Sequence, residues 1–575
     1  MLKPAAVPLL RAPLLLTGVL LLALALRVWG LGWGLPSATH YFSYHPDESV
    51  VLGASSSPAM NVFAGRLLPH FYRYGSLQLY LVCFANTLAA LAGAIDIVPK
   101  DYAVWYPQWA KMYLIGRCLT VGMGVGTVFA VYRIGERLWG RRAGLPAALT
   151  LAVMPLHAQH SHFLTVDVPA TFWAMLSLLW AVRLATGDPK PWRAAVWAGV
   201  FAGLAAATKY NLALAVLPLV VTALAPPAPT TINGGRAGEV SSAHSAPPRI
   251  GGRGVIFVGL AAFVLAFFLA CPGAILENAQ FLRDLRFEAV HVQNRDDPTF
   301  RDTGSGFVYH VARNLDAGLG LPLLLLALVS VGYALYRRER GDGLLAAFAL
   351  PYYVLISLAA VRYARYTIPL LPVLALWVGR MAADWSRAAS PAVRGLAAWV
   401  GVPVLLLTLI YLAAVIEPMA EQDPRDKAYA DIQNRAPATP VAFPTMPWFG
   451  TVPISPYFPM PKPGGWRRAV TPQQAARIVY AGKDWDVTLL EAKKPDLVVL
   501  SEYDYADALR LKDPDALRYL AALHRDYGAQ YVNIFPFDPV TLFTLPSSNG
   551  MFPPHGLPHD MLYTNPYILI YHRKP

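Results

Sequence analysis

Ser76–Asp96 reads SLQLYLVCFANTLAALAGAID. A membrane span needs about 20 mostly apolar residues, so this stretch qualifies. Whether it crosses decides the side on which every later loop falls. Eleven other stretches qualify with it: roughly 12–34, 112–132, 143–160, 168–186, 193–208, 210–225, 254–272, 318–336, 343–360, 366–381 and 395–416. The first follows Arg11 as a signal peptide would, but its run continues past Arg27 to Leu35 and reads as a retained anchor. The most basic loops are Arg133–Arg142 with four arginines, and Arg337–Arg340, Arg380–Arg394 and 226–253 with three each. Cytoplasmic loops collect Arg and Lys. If all twelve stretches cross, Arg133–Arg142 falls outside. If 77–95 does not cross, every basic loop falls inside. The segment therefore reads as an interfacial or re-entrant helix, leaving eleven spans with the N-terminus inside.

Composition supports the membrane class. Of 575 residues, 55% are hydrophobic and 14% charged, against about 25% charged in soluble domains. Disorder, collagen and coiled coil are excluded by the same figures. The net charge of +13 would suit a nucleic-acid binder, but the arginines sit in short runs between apolar segments. No nucleic-acid partner is expected. Cys83, Cys118 and Cys271 are too few for a disulfide framework and lie in apolar surroundings.

The parity places 35–111, 157–168, a tip at Lys209, 272–317, the VRYAR loop 361–365 and the tail 417–575 on the outer face. The Pro/Gly/Ser-rich segment 226–253 reads as a flexible cytoplasmic loop. The tail holds 22 of the 50 prolines and no further span. Its pieces DLVVLSEYDYADALR and YILIYHRKP carry strand and strand–helix signals. The expected fold is thus a mainly α, polytopic membrane protein of about 11 transmembrane helices. A transmembrane domain at 1–416 precedes a small extracytoplasmic α/β domain at 417–575.

Several outer-face residues invite chemistry. Asp47 and Glu48 form an acid pair in HYFSYHPDESV, where Pro46 fixes a turn. Such a pair caps a helix, or serves as a general base or cation ligand at a cavity mouth. Asp167, in FLTVDVPATFW, precedes a long apolar run, and acids at hydrocarbon depth are functional by default. His157 and His160 near Asp167 have the spacing of a metal site, but three histidines, with His162, at a helix end more often solvate the interface. Lys209 snorkels or binds phosphate at the surface. Arg362 and Arg365 sit in a loop too short to be a solvated face, and their planar forks suit phosphate. Arg73, in FYRYGSLQLYL, is a third candidate. Carboxylates and basic groups converging on one outer face suggest a phosphorylated lipid substrate and a base-assisted transfer.

At these residues the chain resembles the polyprenyl-phosphate-dependent glycosyltransferases of the GT-C superfamily. The resemblance is to the branch, glycosyltransferase family 39-like, that holds protein O-mannosyltransferases and lipid A aminoarabinose transferases. The matching pieces are HPDE at 45–48, YGSLQLY at 74–80, FLTVD at 163–167, TKY at 208–210 and RYTIPLLP at 365–372. They stand in the family's order and cover about 1–380 of the chain. The resemblance implies a GT-C catalytic domain over 1–416, with Asp47 as catalytic base beside Glu48 and Asp167 as the second external acid. Donor-binding roles fall on Arg73, Lys209, Arg362 and Arg365, with His45 and Tyr74 alongside. Where the aminoarabinose transferases carry Lys-Pro, this chain carries Arg73-Tyr74. The tail matches no family pattern.

The expected activity is an inverting transfer of a sugar from a polyprenyl-phosphate donor to an extracytoplasmic protein, lipid or glycan. The expected location is a plasma membrane of the bacterial inner-membrane kind, with the site on the outer face. No cofactor is required by this reading, and a divalent cation fits it. A transporter or flippase of lipid-linked sugars would use similar groups, but would need a polar path to the cytoplasmic face. The spans hold few acids for such a path.

Overall fold

All twelve apolar stretches form helix in the computed structural model. It describes residues 11–575 apart from 41, 57–59, 62–63, 97–101, 225–251, 448, 455–476, 532–541 and 545–556. Nearly all of the expected loop 226–253 lies outside the described residues. Among those described, four stretches are long and apolar enough to cross a membrane: Tyr106–Trp139, Asp167–Ala185, Ala364–Ser386 and Pro391–Arg435. Shorter apolar helices include Pro13–Val28, Tyr210–Leu224, Gly254–Ala270 and Leu321–Arg337. The described residues are mainly helical, with a two-stranded ribbon of Met60–Asn61 and Arg66–Leu67 and one small mixed sheet.

Local chemistry sets the helix breaks. The helix Arg141–Val153 stops before Pro155, which lacks an N–H and disfavours helix in the preceding residue. Buried Arg27 reaches the break, donating to the Ala152 carbonyl at 3.1 Å and the Leu151 carbonyl at 3.4 Å. The chain resumes as the short helix Pro155–His160, then turns into the helix Asp167–Ala185. Helices Pro191–Thr208 and Gly252–Ala270 pack closely because Gly199 faces the Gly259 carbonyl, where a Cβ would collide.

The segment Ser76–Leu91 is a 16-residue helix. At about 1.5 Å per residue its length falls short of a hydrocarbon core of about 30 Å. Its buried face carries Gln78 and Asn86 and packs on the helices Pro46–Ser55, Tyr102–Trp139 and Pro191–Thr208. Its start is tied to the turn at Lys209. The Tyr210 hydroxyl donates to the Tyr72 and Tyr74 carbonyls at 2.9 and 3.0 Å, and a Cβ on Gly75 would strike the Ala207 carbonyl.

In the tail a five-stranded sheet runs in the spatial order Ile478–Val479, Val441–Ala442, Leu497–Ser501, Ile568–Arg573, Tyr527–Tyr531. The first two pairings are parallel and the last two antiparallel. Strand Leu497–Ser501 is buried at every position. Val498 and Leu500 enter a core with Leu489, Tyr519 and Leu523, while Leu497 and Val499 enter another with Ile432 and Phe443. Burial on both faces explains its unbroken apolar run.

The tail also enters the helical body. Met561 and Tyr563 belong to the same core as Ala152, Leu156 and Leu371. Gln159 donates to the Met561 carbonyl at 3.1 Å and to the Thr564 hydroxyl at 3.2 Å. Arg425, buried, donates to the Tyr563 carbonyl at 2.6 Å and is paired with Asp423 at 2.6 Å.

Candidate active site

The chain after the first helix leads into the helix Pro46–Ser55. Its start is capped by His45, whose Nδ1 accepts the Asp47 N–H at 3.2 Å. Burial pushes the His45 imidazole well below its usual range, so the ring is neutral and able to accept. Its face meets Tyr563 at 4.6 Å and Phe163 at 4.5 Å. The cap turns the two neighbouring acids in different directions.

Glu48 points inward and is fully buried. One oxygen accepts Arg117 Nε at 2.8 Å and the Leu164 N–H at 2.6 Å. The other accepts Arg117 Nη2 at 2.7 Å and the Ser43 hydroxyl. Burial alone would raise its pKa, but the Arg117 guanidinium more than offsets this and holds the carboxyl below the usual range. Arg117 Nη1 also donates to the Leu31 and Trp33 carbonyls at 2.7 and 2.6 Å. With its lone pairs engaged, Glu48 joins the first loop to a long helix and to the strand of chain before Asp167.

Asp47 points the other way and keeps 22% of its side chain exposed. Its Oδ2 lies 3.2 Å from Arg365 Nη2. Arg365 is the second residue of the 3₁₀ turn Ala364–Leu370, with its guanidinium 3.9 Å over the Tyr363 ring. Its Nη1 is buried, stands 3.5 Å from Asp560 Oδ2 and has no hydrogen-bond acceptor. Tyr74 adjoins this pair. The Asp47 charge first, and burial second, hold its hydroxyl well above the usual range, so it stays a donor.

Asp167 starts the helix Asp167–Ala185 and is 4% exposed. Lys209 Nζ reaches its Oδ1 at 2.5 Å. Lys209 is placed by the break between Pro191–Thr208 and the following 3₁₀ turn, and its Nζ lies 4.7 Å from the centre of the Tyr366 ring. Tyr363 and Tyr366 thus carry two cations, Arg365 and Lys209, on one short turn. The buried His160 ring is within electrostatic reach of Asp560, Asp167, Arg365 and Asp47, and neither ring nitrogen has a hydrogen-bond partner.

Other sequence candidates are engaged elsewhere. Arg73 is exposed and lies 3.9 Å over the Phe287 ring. Arg362 donates to the Thr303 hydroxyl at 2.9 Å and the Gly304 carbonyl at 2.8 Å, bracing the loop before Gly306. His157 Nδ1 meets Arg27 at 2.9 Å, and the His162 ring sits between the Ala158 and Trp29 carbonyls. The three histidines therefore diverge. Among the described residues no group of three or more His, Cys, Asp or Glu side chains is arranged to hold a metal.

One residue of the site was missed in the sequence reading. Asp560 is fully buried, and its oxygens accept the Ala364 and Arg365 N–H groups at 3.0 and 2.9 Å. It lies in the loop LPHDMLYTNPY, which has no periodicity to announce burial. The one available cue was an acid set in an apolar, aromatic run, the same cue that singled out Asp167.

With this geometry in view, comparison with known proteins is informative. Residues 114–234 match the model of the dolichyl-phosphate-mannose-protein mannosyltransferase family. The GT-C glycosyltransferase resemblance is borne out over that stretch. Among solved structures, one similar chain is the archaeal oligosaccharyltransferase AglB from Archaeoglobus fulgidus, in complex with an inhibitory peptide and a dolichol-phosphate. It is 13% identical at a TM-score of 0.46, over 94% of this chain and 74% of that one. Another is ArnT from Cupriavidus metallidurans bound to undecaprenyl phosphate. It is 14% identical at a TM-score of 0.43, over 98% of each chain. The protein O-mannosyltransferase Pmt1-Pmt2 complex of S. cerevisiae, bound to its sugar donor, is 15% identical at a TM-score of 0.30, over 52% of this chain and 37% of that one. No curated protein sequence matches.

Proposed function

We propose that the chain is a membrane glycosyltransferase that moves a sugar from a polyprenyl-phosphate donor to an extracytoplasmic acceptor, with inversion at the anomeric carbon. The observation that carries this reading is Asp47, partly exposed, facing the guanidinium of Arg365 at 3.2 Å. A partly exposed carboxylate beside a cationic fork suits a reaction in which a proton leaves one partner and a phosphate leaves the other.

The donor phosphate would occupy the Arg365 fork and displace Asp47 from it. Freed of its counter-ion, Asp47 takes the proton of the acceptor hydroxyl as that oxygen attacks the anomeric carbon. The bond from that carbon to the phosphate oxygen breaks, and the electron pair departs with the polyprenyl phosphate. Its charge is met by Arg365, with Lys209 nearby as a second cation. Asp167 holds Lys209 in place, and Glu48 holds the loop that presents Asp47. The eleven-span topology, with the site and tail on the outer face of a plasma membrane, belongs to the same proposal. The family match to a dolichyl-phosphate-mannose-dependent group supports the lipid-phosphate donor. Mass spectrometry of glycans and glycolipids from cells lacking the chain tests the reading. An acceptor that loses one sugar supports it, and an unchanged profile contradicts it.

A further inference from the structure

Asp560 takes no part in the steps above, yet one buried carboxylate fixes Arg365 twice. Its oxygens accept the main-chain N–H groups of Ala364 and Arg365 at 3.0 and 2.9 Å, and its Oδ2 stands 3.5 Å from Arg365 Nη1. The main-chain bonds cap the 3₁₀ turn from a distant part of the chain, satisfying donors that no helical partner can reach. The segment around Asp560 is itself anchored: Tyr503 donates to the His559 carbonyl at 3.1 Å, and Gln159 and Arg425 grip residues 561–564. Two acids therefore share one guanidinium on unequal terms. Asp560 is fully buried and held through the backbone, whereas Asp47 is 22% exposed and touches only the side chain. An arriving anion displaces the second more easily than the first.

We propose that Asp560 is a positioning residue: it holds Arg365 in place while the donor phosphate replaces Asp47, so the tail completes the active site. This rests on the reading that Arg365 takes the donor phosphate. Without Asp560, Arg365 would either follow Asp47 and leave the base masked, or leave the site with its turn. Both outcomes damage the transition state more than the fold.

The test is a mutant cycle in the full chain, read in two ways. Turnover is measured in isolated membranes with the native donor, and affinity is measured on purified protein with undecaprenyl phosphate as the probe. Asp560→Asn should slow turnover by roughly 100-fold, the scale of a misplacement of about 1 Å at a reacting group. It should weaken undecaprenyl phosphate binding about tenfold, as loss of one charged hydrogen bond does. In an Arg365→Ala background the same change should weaken binding no further, because its effect passes through Arg365. Wild-type binding and turnover in Asp560→Asn, or an equal additional loss of binding in the double variant, would overturn the assignment. If Asp560→Asn does not accumulate, Asp560→Glu, which keeps charge and acceptors, carries the same cycle. Asp47→Asn serves as the control. If it turns over normally, the proposed function fails, whereas a dead Asp47→Asn beside a normal Asp560→Asn sinks the positioning role alone.

Discussion

Asp47 Oδ2 and Arg365 Nη2 stand 3.2 Å apart, joining the helix Pro46–Ser55 to the turn that precedes the helix Leu371–Ser386. In the proposed mechanism the donor phosphate competes with Asp47 for Arg365. Arg365→Lys keeps the charge but gives up the planar fork. It should bind undecaprenyl phosphate more weakly and turn over more slowly than wild type, measured with native donor in membranes. Equal rates would mean that the fork geometry is irrelevant to the phosphate.

Glu48 and Arg117 are both fully buried and bond each other through two nitrogens. Glu48→Gln leaves the Arg117 charge uncompensated, and should destabilise the protein by about 3–5 kcal/mol. Thermal melting in detergent measures this. The pair also predicts a direction with pH. Because the folded-state pKa of Glu48 is depressed, its contribution is full above the ordinary carboxylate range and is lost as pH falls through the folded value. The melting temperature of wild type should fall more on acidification than that of Glu48→Gln.

Buried Asp167 and half-buried Lys209 make a second pair at 2.5 Å. Removing one partner strands the other, so Lys209→Met should cost more stability than the double variant Asp167→Asn/Lys209→Met. A double variant that melts at or below the single one would show that the two residues act independently.

The membrane helices and the acids beside them were readable because apolar runs and isolated charges are local signals. Asp47, Asp167, Lys209 and Arg365 each stood out for that reason. Their pairing was not readable, although burial cost alone requires Asp167 and Lys209 to find opposite charges. Glu48 looked like a twin of Asp47, but one residue of helical rotation sends it into the core toward Arg117, a partner hidden inside a candidate span. Asp560 was passed over because its main-chain partners lie 195 and 196 residues away in the chain. Arg73 and Tyr74 split similarly: Arg73 goes out to Phe287 and Tyr74 goes in toward Asp47.

Topology can be probed by thiol labelling in a cysteine-free background. His45 is buried and makes a poor reporter, whereas Ser49 and Arg141 are exposed. An impermeant reagent added from outside should label Ser49→Cys and spare Arg141→Cys. Labelling of both would mean that Ser76–Leu91 crosses the membrane, placing Arg133–Arg142 outside.

Asp47→Asn tests the central claim most directly, because it removes the base while leaving Asp560 to hold Arg365. The variant should insert and accumulate like wild type, and its rate of sugar transfer, followed by mass spectrometry of the acceptor in membranes, should fall by about 10²–10⁴-fold. Transfer at the wild-type rate by a normally inserted Asp47→Asn protein would contradict the account.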